Sequence, residues 1–385
     1  MKKINLFFIL AFKEQTYTYE AKVKQITAQL HKGLKPIDTT LTWHYVMLSH
    51  YCNLYNFFEY EEKIAEFENA VIYHLPYGKD DRGDEVDQKL EQFKGRVPIV
   101  MRSYDAHSPR KTSVAYMDRY HDLVLTYLRA RVTPPHRIFA QIAYDNFLVM
   151  QYDSLPTHRK FASMVLRREQ REGYFETHDK FLEQGLDLQK TYHLREKFAT
   201  YEVIDVYGSG WDKEMPNYKG SLSYKHKHQT LHRYKFHFVL ENAIVDNYLS
   251  EKIFDAFVSL TVPVYLGSPV VEQYIPKACF IDIRDFESYD ALMVYLASMS
   301  EEEYATYITH IRHYRAELFD AFSTKNSFVL PLYHWYKEQY RHDLDYSPKE
   351  FDAIEERIVQ TTLQHENRVM AFLKKLKTYI QKKWF

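Results

Sequence analysis

One stretch of the chain carries most of its structural signal: YKFHFVLENAIVDNYLSEKIFDAFVSLTVPVYLGSPVVEQYIPKACFIDIRDF (234–286). The apolar run at 236–240 is typical of a buried strand. Ser250 is suited to cap the start of a helix whose apolar residues recur at helical spacing. Two further apolar runs, VPVYLG (262–267) and CFIDI (279–283), follow that helix. Strand, helix and strand in this order predict one unit of a parallel sheet.

Polar and charged side chains cluster where this unit would bind a ligand. Glu241 and Asn242 follow the strand directly, and ligands of open α/β sheets bind beyond the carboxyl ends of strands. Glu251 and Lys252 fall in the first turn of the helix, where the helix dipole favours an anion and disfavours a lysine by about 0.3 kcal/mol. Lys252 therefore suits a site in which a phosphate lies between its side chain and the start of the helix. From spacing alone, Glu251 and Lys252 could also be surface charges.

The alternation of strands and helices continues towards the amino terminus. Strand-like runs lie at 4–12, 69–77, 97–105, 121–128, 160–166 and 203–208, and helical patterns lie at 19–31, 84–94 and 173–189. This rhythm predicts an α/β protein with mostly parallel sheets, built as two facing Rossmann-like domains. The pattern breaks near 151–158. We therefore expect domains at 1–155 and 156–345, followed by a C-terminal helical segment at 346–385.

Both ends of the chain raise the question of a membrane. The apolar run after MKK is less than half the roughly 20 residues that a span needs, and it lacks a small-residue cleavage site, so we expect a buried strand. Residues 374–385 place five lysines beside terminal aromatics, which is typical of a helix on an anionic membrane surface. A docked helix with a solvated face is the alternative. We expect a cytoplasmic protein, peripheral on the inner face of the cytoplasmic membrane if this tail binds lipid.

Composition excludes several functions. The 10 glycines among 385 residues form neither G-x-G-x-x-G nor G-x-x-x-x-G-K-[ST], so a dinucleotide or triphosphate cradled by glycines is not expected. The 51 Lys and Arg residues against 52 Asp and Glu residues leave a net charge of −1, which predicts no attraction for nucleic acid. Cys52 and Cys279 are too few for a disulfide framework.

Five pieces of the 234–286 stretch resemble the donor-domain signature of the α-1,3-fucosyltransferases of glycosyltransferase family 10. They keep the family's order and similar spacing, and they read YKF (234–236), LEN (240–242), YLSEK (248–252), VPVYLGSP (262–269) and CFIDIRDF (279–286). Upstream, VIDVYGSGW (203–211) is similar to the family's V-D-x-x-G strand end, and Arg171 resembles the family arginine before an aromatic-rich helix. Leu240 and Ala243 depart from the family's phenylalanine and serine without removing a charged contact. The resemblance covers about a third of the chain.

This resemblance implies a GT-B fold with a cleft between its two domains. It also implies an inverting transfer of fucose from GDP-β-L-fucose to a sugar hydroxyl, usually the 3-OH of N-acetylglucosamine or glucose. Arg171 and Lys252 would hold the departing diphosphate, since a guanidinium fork and an ammonium both bind phosphate oxygens. The residues that would contact the donor, including ribose or fucose hydroxyls, are Glu241, Asn242, Tyr248 and Glu251.

The catalytic base is the clearest departure from the family. Where the family has a glutamate, this chain has Tyr104 and Asp105. A carboxylate or an imidazole must take the proton of the acceptor hydroxyl, so we predict Asp105 as the base and His107 as the alternative. Both residues could instead only cap the turn after the strand at 97–105.

We expect GDP-fucose as the donor substrate, no tightly bound cofactor and no required divalent metal. The D-x-D sequence Asp343–Leu344–Asp345 precedes the terminal helix rather than following a central strand. This position favours a solvated loop over a metal site. A second set of possible ligands has no cysteine nearby and lies in a histidine-rich chain. It comprises His226, His228, His232 and His237.

Two other functions stay open. A GT-B transferase could use another donor such as GDP-mannose or a UDP-sugar, because the fold and the phosphate contacts do not select the sugar. An inactive sugar-nucleotide-binding homologue would agree with the missing glutamate. For an active enzyme, we expect an oligosaccharide or glycolipid acceptor, namely a bacterial surface glycan such as lipopolysaccharide.

Overall fold

A computed structural model describes residues 2–10, 48–75, 83–102, 114–126, 137–139, 152–168, 188–344, 349–353 and 356. Within these ranges the chain forms two parallel β-sheets, one of six strands and one of five. Helices pack against both sheets. The predicted α/β class with two Rossmann-like sheets is confirmed.

The first sheet is built from the amino-terminal part of the chain. Its strands are β1 (Ile4–Leu10), β2 (Cys52–Asn56), β3 (Ala70–Leu75), β4 (Ile99–Arg102), β5 (Leu123–Thr126) and β6 (Arg137–Phe139). They lie side by side in the order β2-β1-β3-β4-β5-β6, all in parallel. All side chains of β3, β4 and β5 are buried, because helical layers cover both faces of a parallel sheet.

Two helical layers enclose the first sheet. One face is covered by the short α1 (Phe57–Tyr60), by α2 (Gly83–Phe93) and by α3 (Val114–Tyr120). Val86, Leu90 and Phe93 of α2 lie in one apolar cluster with residues of β1, β3 and β4. The spacing of these three residues is the helical one that buries a single face.

The second sheet follows the same plan. Its strands are β7 (Lys160–Val165), β8 (Ile204–Tyr207), β9 (Tyr234–Leu240), β10 (Val262–Leu266) and the short β11 (Ile281–Asp282), in the order β11-β10-β9-β7-β8. The helices around it are α4 (Leu188–Ala199), α5 (Tyr224–Leu231), α6 (Glu251–Val258), α7 (Tyr289–Ser298) and α8 (Glu301–Ala321).

The two sheets share one topology. If the strands of each sheet are counted along the chain, five neighbouring strands of each run in the order 2-1-3-4-5. This is a doubly wound order, in which ligands bind at the carboxyl edge between the first and third strands, where consecutive connections lead in opposite directions. In the second sheet these two strands are β7 and β9, which pair directly.

After α8 the chain returns to the first sheet. A π-helical turn (Lys325–Val329) leads into α9 (Leu330–Gln339), and Leu332 and Tyr333 of α9 are buried in the same apolar cluster as Ile4 and Leu54. Phe351 joins that cluster and stacks on Tyr51 with ring centroids 5.1 Å apart. The described residues 325–344 and Phe351 therefore belong to the second helical layer of the first sheet. The domain bounds at 155 and 345 stay a prediction.

Several elements differ from the sequence-based expectations. β2 and β6 have no counterpart among the predicted strands, and the strand predicted at 279–283 is reduced to two residues between 3-10 turns at 277–279 and 283–285. Most of the helix expected at 173–189 lies outside the described residues, and the structure describes a helix at Leu188–Ala199. The expected helix at 19–31 and most of the terminal segment 346–385 lie outside the described residues.

Among the described helices, none combines the length and the apolar character that crossing a membrane requires. The longest of them, α8, has 21 residues and begins with three glutamates.

We expect Tyr333→Phe to lower the free energy of unfolding by about 1–3 kcal/mol. The buried Tyr333 hydroxyl lies 2.8 Å from the Tyr51 carbonyl oxygen and 3.1 Å from that of Lys2, so its loss leaves a buried acceptor without this donor. Urea unfolding followed by circular dichroism measures the change. Tyr340→Phe is the matched control, because Tyr340 is 46% exposed. Equal unfolding energies for the two variants would contradict this role.

Candidate active site

The carboxyl edge of the second sheet brings together residues that are distant in sequence. Because all five strands are parallel, their ends meet at one edge. The segments that follow the strands there are 166–168, 208–210, 241–242, 267–268 and 283–284. This edge contains Glu241 and Asn242, as the sequence predicts.

Glu241 is fully buried and holds the start of α6. Its carboxylate accepts hydrogen bonds from the Ser250 backbone N–H at 2.8 Å and the Ser250 hydroxyl at 2.6 Å. Lys252 Nζ donates to the same carboxylate at 3.3 Å and to Ser250 Oγ at 3.0 Å. Ser250 is also the N-cap of α6, as predicted, with its side chain accepting from the Lys252 backbone N–H. The buried anion is thus paired with a cation and hydrogen-bonded.

This pairing explains the lysine in the first turn of α6. The helix dipole alone disfavours a cation there, but the Glu241 carboxylate contacts both Lys252 Nζ and the backbone N–H of the N-cap Ser250. An unpaired buried ion costs several kcal/mol, so removing either Glu241 or Lys252 would leave the other as a costly buried charge. Lys252 is well buried, with 13% of its side chain exposed. Direct contact of either residue with a donor stays a prediction.

The other two residues predicted from the YLSEK motif have different surroundings. Tyr248, in the loop before α6, is buried, with 2% of its surface exposed. Glu251 is 41% exposed at its side chain and lies 3.8 Å from Lys252 Nζ. Glu251 is therefore the more accessible of the two for a hydroxyl of a ligand.

Asn242 has a partner that the sequence did not reveal. Arg195 of α4 donates from Nη2 to Asn242 Oδ1 at 2.8 Å and from Nη1 to the carbonyl oxygen of Arg167 at 3.4 Å. Only 3% of Arg195 is exposed. Leu194 and Phe198 are four residues apart, which is helical spacing, and both are buried in the core. This apolar spacing around Arg195 is the sequence signal that could have indicated a buried arginine.

Hydrogen bonds also fix the loop between Asn242 and Ser250. The Asn247 backbone N–H donates to Ser268 Oγ at 2.9 Å, and the Tyr274 hydroxyl donates to Asn247 Oδ1 at 2.5 Å. Asn247 has φ +67°, a left-handed conformation that asparagine tolerates better than most residues. The loop is thus held at both ends and near its middle.

Two of the scarce glycines, Gly208 and Gly267, lie at this edge where neighbouring groups come very close. A Cβ on Gly208 (φ +127°) would lie 2.2 Å from the Leu166 carbonyl oxygen. A Cβ on Gly267 would lie 2.3 Å from Tyr265 Oη and 2.5 Å from Glu241 Cγ. Each of these positions excludes a side chain because neighbouring strand ends or the buried Glu241 occupy the space.

The four histidines named as possible metal ligands have separate structural contacts, and that of His237 is to Ser163 Oγ at 3.0 Å. His228 Nε2 lies 2.6 Å from Asp255 Oδ1, and Lys227 pairs with the same fully buried carboxylate, which fastens α5 to α6. Burial alone would raise the pKa of Asp255, but Lys227 and His228 hold it well below its usual value. His232 Nδ1 donates to the Ser259 carbonyl oxygen at 2.9 Å, and His226 lies 2.9 Å from Ser223 Oγ.

Among the described residues, no group of three or more His, Cys, Asp or Glu side chains is arranged to hold a metal ion. Asp343 of the D-x-D spelling pairs with Arg341, which holds the pKa of Asp343 at about 2. Asp345 lies outside the described residues.

Three predicted site residues also lie outside the described residues. They are the base predictions Asp105 and His107 and the phosphate-binding prediction Arg171. The nearest described positions are Arg102, at the end of β4, and Arg168, after β7. Their roles stay predictions.

The two doubly wound sheets, with a polar site at the carboxyl edge of the second, define a GT-B type glycosyltransferase fold. A solved α1,3-fucosyltransferase structure matches 90% of this chain and 93% of its own, with a TM-score of 0.51 at 15% identity, which shows likeness of fold. Residues 186–346 match the model of glycosyltransferase family 10 (fucosyltransferase), carboxyl-terminal domain. The matched residues include the Glu241–Lys252 site at the carboxyl edge of the second sheet.

Curated relatives align over shorter stretches. The α-(1,3)-fucosyltransferase of Helicobacter pylori is 38% identical over 81 residues, which are 20% of this chain and 17% of that protein. The 3-galactosyl-N-acetylglucosaminide 4-α-L-fucosyltransferase of Pongo pygmaeus is 32% identical over 123 residues, which are 31% of each chain. The chain thus spans less than a third of the length of each of these relatives.

We expect the free energy of unfolding of the wild-type chain to decrease more steeply on acidification than that of the His237→Gln variant. Burial, assisted by the nearby Lys227 charge, lowers the pKa of His237 to about 3 from its ordinary 6.5. Below pH 6.5 His237 therefore binds a proton in the unfolded chain but stays neutral in the folded chain. The free energy of unfolding consequently decreases as the pH falls from 6.5 towards 3. The expected difference in slope approaches about 1.4 kcal/mol per pH unit.

Urea unfolding of both proteins at pH 7, 6, 5 and 4.5 measures this difference. The other titrating groups contribute equally to both proteins, so the difference isolates His237. Parallel pH profiles would contradict a neutral, buried His237.

Proposed function

We propose that this chain is a fucosyltransferase that moves L-fucose from GDP-β-L-fucose to a hydroxyl of a glycan acceptor. The observation that carries the proposal is the family 10 domain at 186–346, which contains the Glu241, Asn242 and Lys252 site at the carboxyl edge of the second sheet. The fucosyltransferase names of the curated relatives support the same activity.

In this proposal the second sheet binds the donor. Lys252 and Arg171 stabilise the negative charge of the departing diphosphate, and the amino terminus of α6 adds its dipole. The exposed Glu251 carboxylate accepts a hydrogen bond from a ribose or fucose hydroxyl. Glu241 serves chiefly to hold Lys252 and Ser250 in place, because its carboxylate is fully buried.

The transfer inverts the configuration at the fucose carbon, with the acceptor hydroxyl attacking from the face opposite to the diphosphate. Asp105 takes the acceptor proton, and His107 is the alternative base. Both follow β4 of the first sheet, so residues 1–155 form the acceptor domain and residues 156–345 the donor domain. No metal ion is required, because fixed cations replace it at the diphosphate.

The proposed acceptor is a bacterial surface glycan such as lipopolysaccharide, fucosylated at the 3-OH of N-acetylglucosamine or glucose. The reaction takes place in the cytoplasm. The lysines of 374–385 hold the chain on the anionic inner face of the cytoplasmic membrane.

The experiment that tests the activity is mass-spectrometric detection of fucose transfer from GDP-fucose to lactose, N-acetyllactosamine and core-oligosaccharide acceptors. Parallel reactions contain GDP-mannose or a UDP-sugar. Transfer from one of those donors alone would overturn the choice of fucose, and binding of GDP-fucose without any product would favour an inactive homologue.

We expect Lys252→Ala to lower transfer by about 10²-fold, because it removes a charge that opposes the developing diphosphate. The same change weakens the pairing of the buried Glu241, so a second variant is needed. Glu241→Gln/Lys252→Met removes both charges together and should recover thermal stability without recovering transfer. Lys277→Ala, which removes a partly exposed lysine paired with Asp285, is the control. Full activity of the double variant would exclude the diphosphate role.

We expect Asp105→Asn to lower kcat by about 10²–10⁴-fold, because the amide cannot accept the acceptor proton. His107→Gln should retain most activity if Asp105 is the base. Initial rates with saturating GDP-fucose and acceptor measure both variants. The reverse pattern would assign the base to His107, and normal rates in both variants would place it elsewhere.

A further inference from the structure

The chain returns from the second sheet to the first within a few residues. Phe322, just after α8, is buried in the core of the second sheet, with its ring centroid 4.7 Å from that of Phe254. Phe328 is already buried in the core of the first sheet. The crossing is therefore residues 323–327, and all five of its side chains are polar. The buried ones are Ser323, Thr324, Lys325 and Ser327. Buried polar groups need hydrogen-bond partners, so specific bonds hold this crossing.

Hydrogen bonds tie the crossing to the end of α8. The Ser327 backbone N–H and hydroxyl donate to the Ser323 carbonyl oxygen at 2.9 Å and 2.6 Å. The Asn326 side-chain amide donates to the Asp320 carbonyl oxygen at 2.7 Å, and Lys325 Nζ lies 3.2 Å from Asp320 Oδ1. The crossing therefore continues α8, and its position follows that of the second sheet, in whose core α8 is packed.

A proline changes the backbone at the far end of the crossing. In a continuous α-helix the Ser327 carbonyl oxygen would accept a hydrogen bond from the backbone N–H of residue 331. Pro331 has no N–H, and in an α-helix its ring would clash with that carbonyl group. The chain widens here into the π-helical turn, where the Leu330 N–H donates to the Lys325 carbonyl oxygen five residues earlier. The Ser327 carbonyl oxygen can thus accept from a donor elsewhere in the chain.

Arg102 supplies such a donor from the first sheet. It is the last residue of β4 and is 1% exposed. Its Nη1 donates to the Ser327 carbonyl oxygen at 2.5 Å, and its guanidinium carbon lies 5.6 Å from the Phe328 ring centroid. One buried cation therefore contacts two successive residues where the crossing reaches the first sheet. The proposed base Asp105 follows Arg102 by three residues in the sequence.

We propose that Arg102 is a positioning residue for sugar transfer, because its bond to Ser327 fixes the carboxyl end of β4 relative to the donor domain. The proposal rests on the proposed function and extends it to the contact between the two halves of the chain. The acceptor hydroxyl must lie in line with the departing diphosphate, and a misplacement of about 1 Å can lower the rate about 10²-fold. Arg102 maintains this alignment by joining the strand end before Asp105 to a crossing that continues α8.

Steady-state kinetics of Arg102→Met test this role. Methionine fills much of the same space but offers neither a donor to the Ser327 carbonyl oxygen nor a charge to the Phe328 ring. We expect kcat to fall about 10²-fold, because the acceptor and donor halves lose their fixed alignment. The KM for GDP-fucose and the Kd of GDP should stay unchanged, since the Glu241–Lys252 site does not involve β4. An unchanged kcat, or a loss of GDP affinity as large as the loss of kcat, would overturn the proposal.

A second change separates positioning from stability. Arg102→Met also leaves the buried Ser327 carbonyl oxygen without this donor, so we expect a lower melting temperature. Pro331→Ala adds a backbone N–H four residues after Ser327, at the place where a helix supplies its own donor. The double variant Arg102→Met/Pro331→Ala should therefore regain melting temperature without regaining kcat. Recovery of kcat together with melting temperature would make Arg102 a residue that only stabilises the fold, and would overturn the proposal.

Two further variants complete the test. Arg102→Lys keeps a charged donor that can reach Ser327, so it should regain part of the kcat lost in Arg102→Met, and equal kcat in these two variants would contradict the role of the bond. This comparison decides if Pro331→Ala restores no stability. Arg159→Met is the matched control. Arg159 bonds to Thr261 at 2.9 Å at the amino end of β7, opposite to the site, so its loss should lower the melting temperature and leave kcat unchanged. A fall in kcat as large as that of Arg102→Met would reduce the effect to general instability. If Arg102→Met does not fold, Arg102→Gln takes its place in every comparison.

Failure of this proposal is distinct from failure of the proposed function. If the wild-type chain transfers fucose and Arg102→Met does so with the same kcat, only the role of Arg102 is wrong. If the wild-type chain transfers another sugar in place of fucose, the GDP-fucose donor is wrong, and the same variants are compared with the other donor. If the wild-type chain transfers no sugar from any donor tested, both proposals are overturned.

Discussion

The buried carboxylate of Glu241 is the interaction on which the site depends. An ion taken out of water costs several kcal/mol unless it is paired and hydrogen-bonded. Glu241 meets that cost through the backbone and hydroxyl of Ser250 and the ammonium of Lys252. These contacts fix where α6 begins, close the loop that precedes it and place a lysine in a helical turn that would otherwise disfavour it. A network of this kind is rigid because removal of any member leaves a buried charge or donor without its partner.

Neighbouring structure is shaped around that carboxylate. Gly267 has no side chain because Glu241 Cγ and Tyr265 Oη occupy the space, and Ser268, one residue later, holds the loop through Asn247. On the far side of α6, Asp255 pairs with Lys227 and His228 of α5, so the helix is fastened at its middle as well as at its start. Gly208 and Gly267 thus allow close backbone and side-chain packing at the strand ends.

The repeated 2-1-3-4-5 order gives each sheet a crevice at its carboxyl edge, and the return of the chain after α8 ties the two halves together. Arg102, at the end of β4, donates to the Ser327 carbonyl oxygen in the π-helical turn and lies 5.6 Å from the Phe328 ring. A buried guanidinium thus joins the carboxyl edge of the first sheet to the segment that arrives from the second.

The centre of the second sheet could be predicted from sequence because β9 and β10 are almost entirely buried and appear as largely apolar runs. The start of α6 could be predicted because Ser250 has the chemistry of an N-cap. β6 and β11 could not, since two or three residues carry no periodic signal. The roles of Glu241, Lys252 and the histidines depended on partners distant in the chain. Local sequence thus determined the strands, the start of α6 and the charged residues at the edge. Tertiary structure alone decided that Lys252 pairs with Glu241 and that Arg195 faces Asn242, because burial makes the pairing of charges and donors obligatory only once the strands are side by side.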